Sequence, residues 1–351
     1  MMKVNFVAPK HCAAMLHCPG SRPATPERVS RAAPLAALVF ACSLAPAPAA
    51  LAQEWPARPL RVIIPYPPGD TGDVIVRLIS SQLAQRLGQP LVADNRAGAS
   101  GQVGLELAAR ALPDGYTISV GQAGNVAAAP HTARTLGYDP LRDFAPIALV
   151  ARNHLALALH PSTPYRSVPE LISWAKANPG RLTFASNGEG GFPHLSFELF
   201  RVQAGFTYLH VPYKGSAPAV ADLVGGQVDS AMAAYTTLAA HARAGKVRML
   251  AITHDTRMSA VPDVPTIGEF VPGYSSYGWF GFLGPAGLPA PIVRRLNEEI
   301  NRAVRQPEIA ERMAAAGLDA VTDSPQAFNE LIRREHAKYG KLTRAIGFKP
   351  Q

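Results

Sequence analysis

The chain has 351 residues, of which 48% are hydrophobic and 17% charged, with a formal net charge of +9 and three cysteines. All three cysteines (Cys12, Cys18, Cys42) fall within the first 52 residues, so the remainder folds without disulfides, thiol catalysis or cysteine-based zinc sites. The same stretch carries +4 of the charge, and no basic run interleaves with aromatics in the rest, which argues against nucleic-acid binding. Arg28 and Arg31 precede an apolar run over residues 34–52 that ends Ala50-Leu51-Ala52. That is the pattern of a secretory signal peptide cleaved before Gln53, and it predicts a periplasmic protein. The run is too short and too rich in Pro and Ala for a stable spanning helix. A membrane anchor and lipidation at Cys42 are the alternatives, and Phe40 suits lipidation poorly.

Residues 62–64 (Val-Ile-Ile) read as a buried strand that meets a Pro/Gly turn over residues 65–73. The turn opens into a helix, because Val74, Ile75, Leu78, Ile79, Leu83 and Leu87 share one face and Gly88 stands where a C-terminal cap belongs. A strand at 91–93, a glycine-rich turn, a helix and a strand at 116–120 repeat the pattern. Strand–helix–strand repetition predicts a parallel sheet with helices on its faces. Residues 155–159 (LALAL) read as a strand leaving that unit, and Ser167-Val-Pro-Glu170 is a capping box that starts a helix to Asn178. Strands at 182–185, 208–211, 230–234 and 248–253, separated by helical stretches such as 216–224, predict a second α/β unit. A strand at 276–283 and helices at 291–305, 309–316 and 324–345 follow; periodicity alone gives two α/β units.

Three turns carry the candidate chemistry. In the first, backbone N–H groups over residues 70–73 point out of a helix start at the carboxyl end of a strand, where open α/β sheets hold anions. Thr71 adds a hydroxyl, and the helix cap falls to Asp70 or Thr71. In the second, Gln122 and Asn125 end the third strand. In the third, over residues 185–194, Ser186, Asn187 and Gly188 supply a hydroxyl, an amide and open backbone ahead of another helix. His194 and Glu198 at i and i+4 lack a third metal ligand, so a ligand contact or helix-start role is the better reading and no metal is expected. Gly98, Gly101 and Gly104 do not have dinucleotide spacing, so they read as packing glycines and no cofactor is expected. Tyr213 and Lys214 follow a strand, and Lys214 would suit a second carboxylate. Asp229 reads equally well as structural or ligand-binding. No nucleophile elbow or zinc-protease motif is present, which argues against an enzyme.

The segment RVIIPYPPGDTGDVIVRLISSQLAQRLGQPLVADNRAGASGQVG (residues 61–104) resembles the opening of the Bug (TctC-like) family, the extracytoplasmic receptors of tripartite tricarboxylate transporters. PDGYT (113–117), YDPLRDFAPIALVA (138–151), VPYKGSAPAVADLVGGQVD (211–229), RAGKVRMLAIT (243–253), VPDVPTIGEFVPGY (261–274) and PAPIVRRLNEEI (289–300) follow in family order. The resemblance implies a two-lobed, type II-like periplasmic binding fold of two Rossmann-like domains. One would hold residues 53–152 and 279–351, the other 153–278, so that the chain would cross between them twice, near 151–155 and 276–280, and two crossings make a hinge. It further implies a monomeric receptor that takes a small carboxylated or amidated solute into the interdomain cleft and delivers it to membrane permease subunits. A sensor subunit, or a secreted enzyme on small acids, is the alternative. The ligand-binding residues expected are Tyr66, Gly69, Asp70, Thr71, Gly72, Asp73, Gln122, Asn125, Ser186, Asn187, Gly188, His194, Tyr213 and Lys214. Two positions depart from the family: Asp70 stands where a second glycine or an alanine is usual, and Ala129 lacks a usual polar group. If Asp70 faces the cleft, as this reading has it, a plain dicarboxylate is disfavoured.

Overall fold

The computed structural model describes residues 55–258 and 260–350; the signal peptide, its cleavage site and the three cysteines lie outside them. The first elements are β1 (Leu60–Ile64), α1 (Thr71–Leu87), β2 (Leu91–Asn95), α2 (Gln102–Ala109), β3 (Thr117–Gln122), α3 (Ala129–Thr132) and β4 (Phe144–Asn153). Next come β5 (Leu155–Leu159), α4 (Val168–Ala177), β6 (Thr183–Ser186), α5 (Phe192–Ala204), β7 (Leu209–Pro212), α6 (Ser216–Val224), β8 (Ser230–Ala234), α7 (Tyr235–Arg243) and β9 (Arg248–Ile252). The chain closes with β10 (Gly278–Pro285), α8 (Ala290–Val304), α9 (Pro307–Ala315), β11 (Leu318–Ala320) and α10 (Pro325–Ala345). The strands form a six-stranded sheet, β11-β4-β10-β3-β1-β2, and a five-stranded sheet, β7-β6-β8-β5-β9. The chain changes sheet between Asn153 and Leu155 and returns between Ile252 and Gly278.

Local signals explain most of these elements. Asp70 caps α1 and Gly88 ends it in the left-handed region at φ 69°. Ser167 accepts from the Glu170 amide at the start of α4, while the Glu170 carboxylate accepts from Arg166 N, one residue further out than a capping box requires. The sheets are not purely parallel, however. β1 is parallel to β2 and β3, whereas β10 runs antiparallel between β3 and β4, and β11 is antiparallel to β4. Parallel neighbours need a crossover connection; β10 instead arrives from the other sheet and enters in the opposite sense. Sequence reasoning also missed β4. Its apolar run is interrupted by Pro146, which sits opposite Leu283 at a register shift.

One face of the larger sheet is filled by Leu60, Val62 and Ile64 against Ile75, Ile79 and Leu83 of α1 and Leu296 and Ile300 of α8. Each such side chain contributes about 1.5–3 kcal/mol by leaving water. On the other face the core does not stop at the lobe boundary. Ile63 and Leu105 belong to one contiguous cluster with Phe184, Phe197, Trp279 and Tyr339. The helix α10 explains this: it packs on β4 and α3 of the first lobe and on α5 of the second. The Tyr339 ring lies 6.2 Å from that of Phe192, and Lys338 Nζ donates to the Ser275 carbonyl at 3.2 Å. The helix is therefore shared between the lobes, not confined to the first.

Candidate functional site

The β1–α1 turn is closed upon itself. Asp70 Oδ1 accepts from Gly72 N at 3.2 Å, Asp73 Oδ2 accepts from Gly69 N at 2.9 Å, and Asp70 N donates to the Pro67 carbonyl at 3.2 Å. Of the amides expected to cradle an anion, those of Asp70 and Gly72 are thus taken by the protein's own carbonyl and carboxylate, as is the Gly69 amide before them. Asp73 also receives Arg77 Nε at 2.8 Å and Asn95 Nδ2 at 3.0 Å, and Asn95 Nδ2 reaches the Tyr66 carbonyl at 3.0 Å. Arg77 foremost holds the buried Asp73 carboxyl down at about 2. This clamp ties β1, α1 and β2 together. The Asp70 side chain, expected in the cleft, caps the helix from an exposed position. Gly69, Asp70, Thr71, Gly72 and Asp73 do not line the interlobe cavity.

That cavity, about 540 Å³, lies between the carboxyl end of the larger sheet and the turn after β6. Its first wall contains Ala99, Ser100 and Gln102 from the glycine turn, Gln122 and Asn125 beyond β3, and Thr132 and Thr135. Its second wall is the backbone and side chains of residues 187–192. Of the residues expected at the site, the structure brings Gln122, Asn125, Asn187 and Gly188 together here. Tyr66 lies directly behind: Asn125 Nδ2 donates to its hydroxyl at 2.5 Å, Asn125 Oδ1 accepts from Gln122 N at 2.9 Å, and Tyr138 donates to the Asn125 carbonyl at 2.6 Å. Burial pushes the Tyr66 hydroxyl well above its usual range, so it stays protonated.

Sequence reasoning read the glycine turn as packing, and in part it is. A Cβ on Gly104 would stand 2.7 Å from Pro65 Cβ and 2.9 Å from the Arg96 carbonyl, and one on Gly101 would stand 2.7 Å from Asn125 Nδ2. The close approach has a second consequence. Ala99 and Ser100 are held in the left-handed region at φ 44° and 54°, and both face the cavity. Non-glycine residues there cost on the order of 1 kcal/mol each and concentrate at functional sites. The signal available in the sequence was Ala-Ser between glycines, flanked by Gly98 and Gly101.

The turn after β6 is supported from below. Ser186 Oγ pairs with His210 Nε2 at 2.7 Å and with Gly188 N at 3.2 Å, and Gly190 N donates to His194 Nδ1 at 3.0 Å. The two imidazoles stack at 3.9 Å with planes 4° apart. Burial lowers both, His210 to about 4. Ser186 and His194 therefore hold the turn instead of lining the cleft. His194 opens instead onto a neighbouring cavity of about 530 Å³ with His210, Glu198 and Phe348, and Glu189 borders both cavities. Glu198, considered as a metal partner for His194, is occupied by Arg201 Nε and Nη2 at 2.9 and 2.7 Å and by the Tyr208 hydroxyl at 2.6 Å. Among the described residues no group of three or more His, Cys, Asp or Glu is placed to hold a metal. Tyr213 directs its hydroxyl to Asp222 at 2.6 Å, and Lys214 is exposed outside the cavity wall. Asp229 is structural: it receives Thr183 N and Oγ1, both at 2.8 Å.

Two α/β lobes joined by two crossings, with a polar cleft between strand-end turns, define a periplasmic solute-binding protein. The chain belongs to the tripartite tricarboxylate transporter family receptors, whose pattern it matches over residues 75–348. It is 36% identical to a UPF0065 protein encoded between tcbD and tcbE in Pseudomonas sp., over 90% of this chain and 94% of that one. It is 35% identical to BugT of Bordetella pertussis, over 85% and 92%. Among solved structures, R. palustris Rpa4515 with adipate superposes at a TM-score of 0.72 and 34% identity, covering 85% of this chain and 100% of that one. MatC of Rhodopseudomonas palustris with bound malate gives 0.68 and 31%, covering 82% and 99%.

Proposed function

We propose that this chain is an exported receptor that captures a small carboxylated or amidated solute between a lobe of residues 53–152 with 279–351 and a lobe of residues 153–278. It then presents the closed form to membrane permease subunits. The observation that carries this reading is the composition of the cleft, where Ser100, Gln102 and Gln122 of one lobe face Asn187 and the backbone of residues 188–191 of the other. A solute that touches both walls at once favours the closed arrangement by its differential affinity. Relatives that hold adipate and malate support a carboxylate as one of its groups. Neutral hydrogen bonds of about 0.5–1.5 kcal/mol each, several made together, suit the ~8 kcal/mol of micromolar binding once ordering costs are met.

A thermal-shift screen of organic acids and amides identifies the solute, since a ligand of the native state raises the melting temperature. Gln122→Ala and Asn187→Ala, one in each wall, are each expected to weaken the identified ligand about tenfold in calorimetry with the fold intact. Unchanged affinity in both variants contradicts binding in this cleft.

A further inference from the structure

We propose that Glu189 makes the cleft select solutes that carry a protonated amine as well as a carboxylate. The inference rests on the cleft reading above and concerns the second wall. The hydrogen-bonding side chains of the first wall (Ser100, Gln102, Gln122, Thr132) are all neutral. Among the described residues that line the cavity, Glu189 is the one ionisable group; it also borders the neighbouring cavity beside Arg201 and Lys349, where its charge acts on His210. The cation that would balance a second carboxylate is missing from the wall: Lys214 stands outside it, as does Arg134, which lies between Ala133 and Thr135 of the lining.

The position of Glu189 is set by its neighbours. Gly188 at φ 139° and Gly190 at φ 70° flank it in conformations that favour glycine. A Cβ on Gly190 would lie 2.9 Å from Phe348 Cζ and 3.2 Å from Thr132 Cβ, so the turn already touches the first lobe beside Glu189. No ion pair to Glu189 forms among the described residues. A second observation comes from Asn187 on the same wall, whose Oδ1 is buried without a hydrogen-bond partner. Native structures rarely leave a buried acceptor unmet. The wall thus offers a carboxylate and, beneath its surface against Gly191, an unmet amide oxygen, both acceptors. An alkylammonium group brings three donors and the opposite charge, whereas a second carboxylate brings neither and is repelled by Glu189.

Calorimetry on the purified receptor with pairs of equal chain length tests this: adipate against aminohexanoate, and glutarate against aminopentanoate, the amine at the far end in each case. The aminocarboxylate is expected to bind about tenfold more tightly than its dicarboxylate partner, and Glu189→Gln to remove that preference. Equal binding, a preference for the dicarboxylate, or a preference that survives in Glu189→Gln overturns the inference. If Gln122→Ala still weakens both members of a pair, the cleft reading stands without it. Failure of every member to bind wild type overturns the inference for these solutes, and indifference of the screened ligand to Gln122→Ala would take the cleft reading with it.

Discussion

The turn after β1 and the turn after β6 have the same local plan, a strand end opening through glycine into a helix, yet they differ in what they leave free. The first is closed upon itself. Its Gly69, Asp70 and Gly72 amides go to Asp73, Pro67 and Asp70, and Asp73 is anchored further by Arg77 and Asn95. The second leaves a buried Asn187 Oδ1 unmet, and Glu189 borders the cleft and the cavity beside it. A helix start is an anion site only while its donors are unclaimed, and acidic residues in the first turn claim them. The first lobe accordingly lines the cleft from the next turn along, where Ser100 and Gln102 sit, and with Gln122.

Breaking the self-closed turn is expected to cost most. Asp73→Ala leaves Arg77, Asn95 and Gly69 N without their acceptor, a loss of about 3 kcal/mol, which in a chain of this size lowers the melting temperature by roughly 5–10 °C. A change within about 1 °C in calorimetric scanning would show that the clamp carries no stability.

Ser100→Gly separates strain from function. Glycine relieves the left-handed backbone, so stability is expected to hold or rise by up to about 1 kcal/mol, while loss of the hydroxyl weakens ligand binding by about three- to tenfold. Reduced stability with unchanged affinity contradicts the assignment of Ser100 to the binding wall.

The smallest effect concerns the stacked imidazoles under the second turn. His210 protonates near 6.5 when unfolded and at about 4 when folded, because burial disfavours its charge. The unfolded chain therefore binds more protons between these values. This contribution is full above pH ~6.5, declines as the pH falls toward 4, and is gone below it. Melting temperatures read across that range should fall for wild type and fall less steeply for His210→Asn. Parallel slopes would remove His210 from the linkage.

Local signals were strong where one element decides its own structure. The apolar face and Gly88 mark α1, and residues 155–159 and 216–224 match β5 and α6 to the residue. Gln122, Asn187 and Gly188 were legible because they end strands next to helix starts. What escaped depends on distant partners. His194 looks like a cleft residue until the fold stacks it on His210, sixteen positions away in sequence. Asp70 looks like a repulsive charge in the cleft until its hydrogen bond to Gly72 makes it a cap. Ser100 is unremarked in sequence because the strain that marks it arises from Gly104 pressing α2 onto Pro65. The bridging role of α10 rests on contacts with both lobes, β4 in one and α5 in the other, which no helical periodicity encodes.

A crystal structure with the solute identified by thermal shift tests the central claim most directly. The account predicts density between Ser100, Gln122 and residues 187–190, with the β1–α1 turn still closed by Asp70 and Asp73. Density at the start of α1 with those two carboxylates displaced, or in the neighbouring cavity beside His194 and His210, would contradict it.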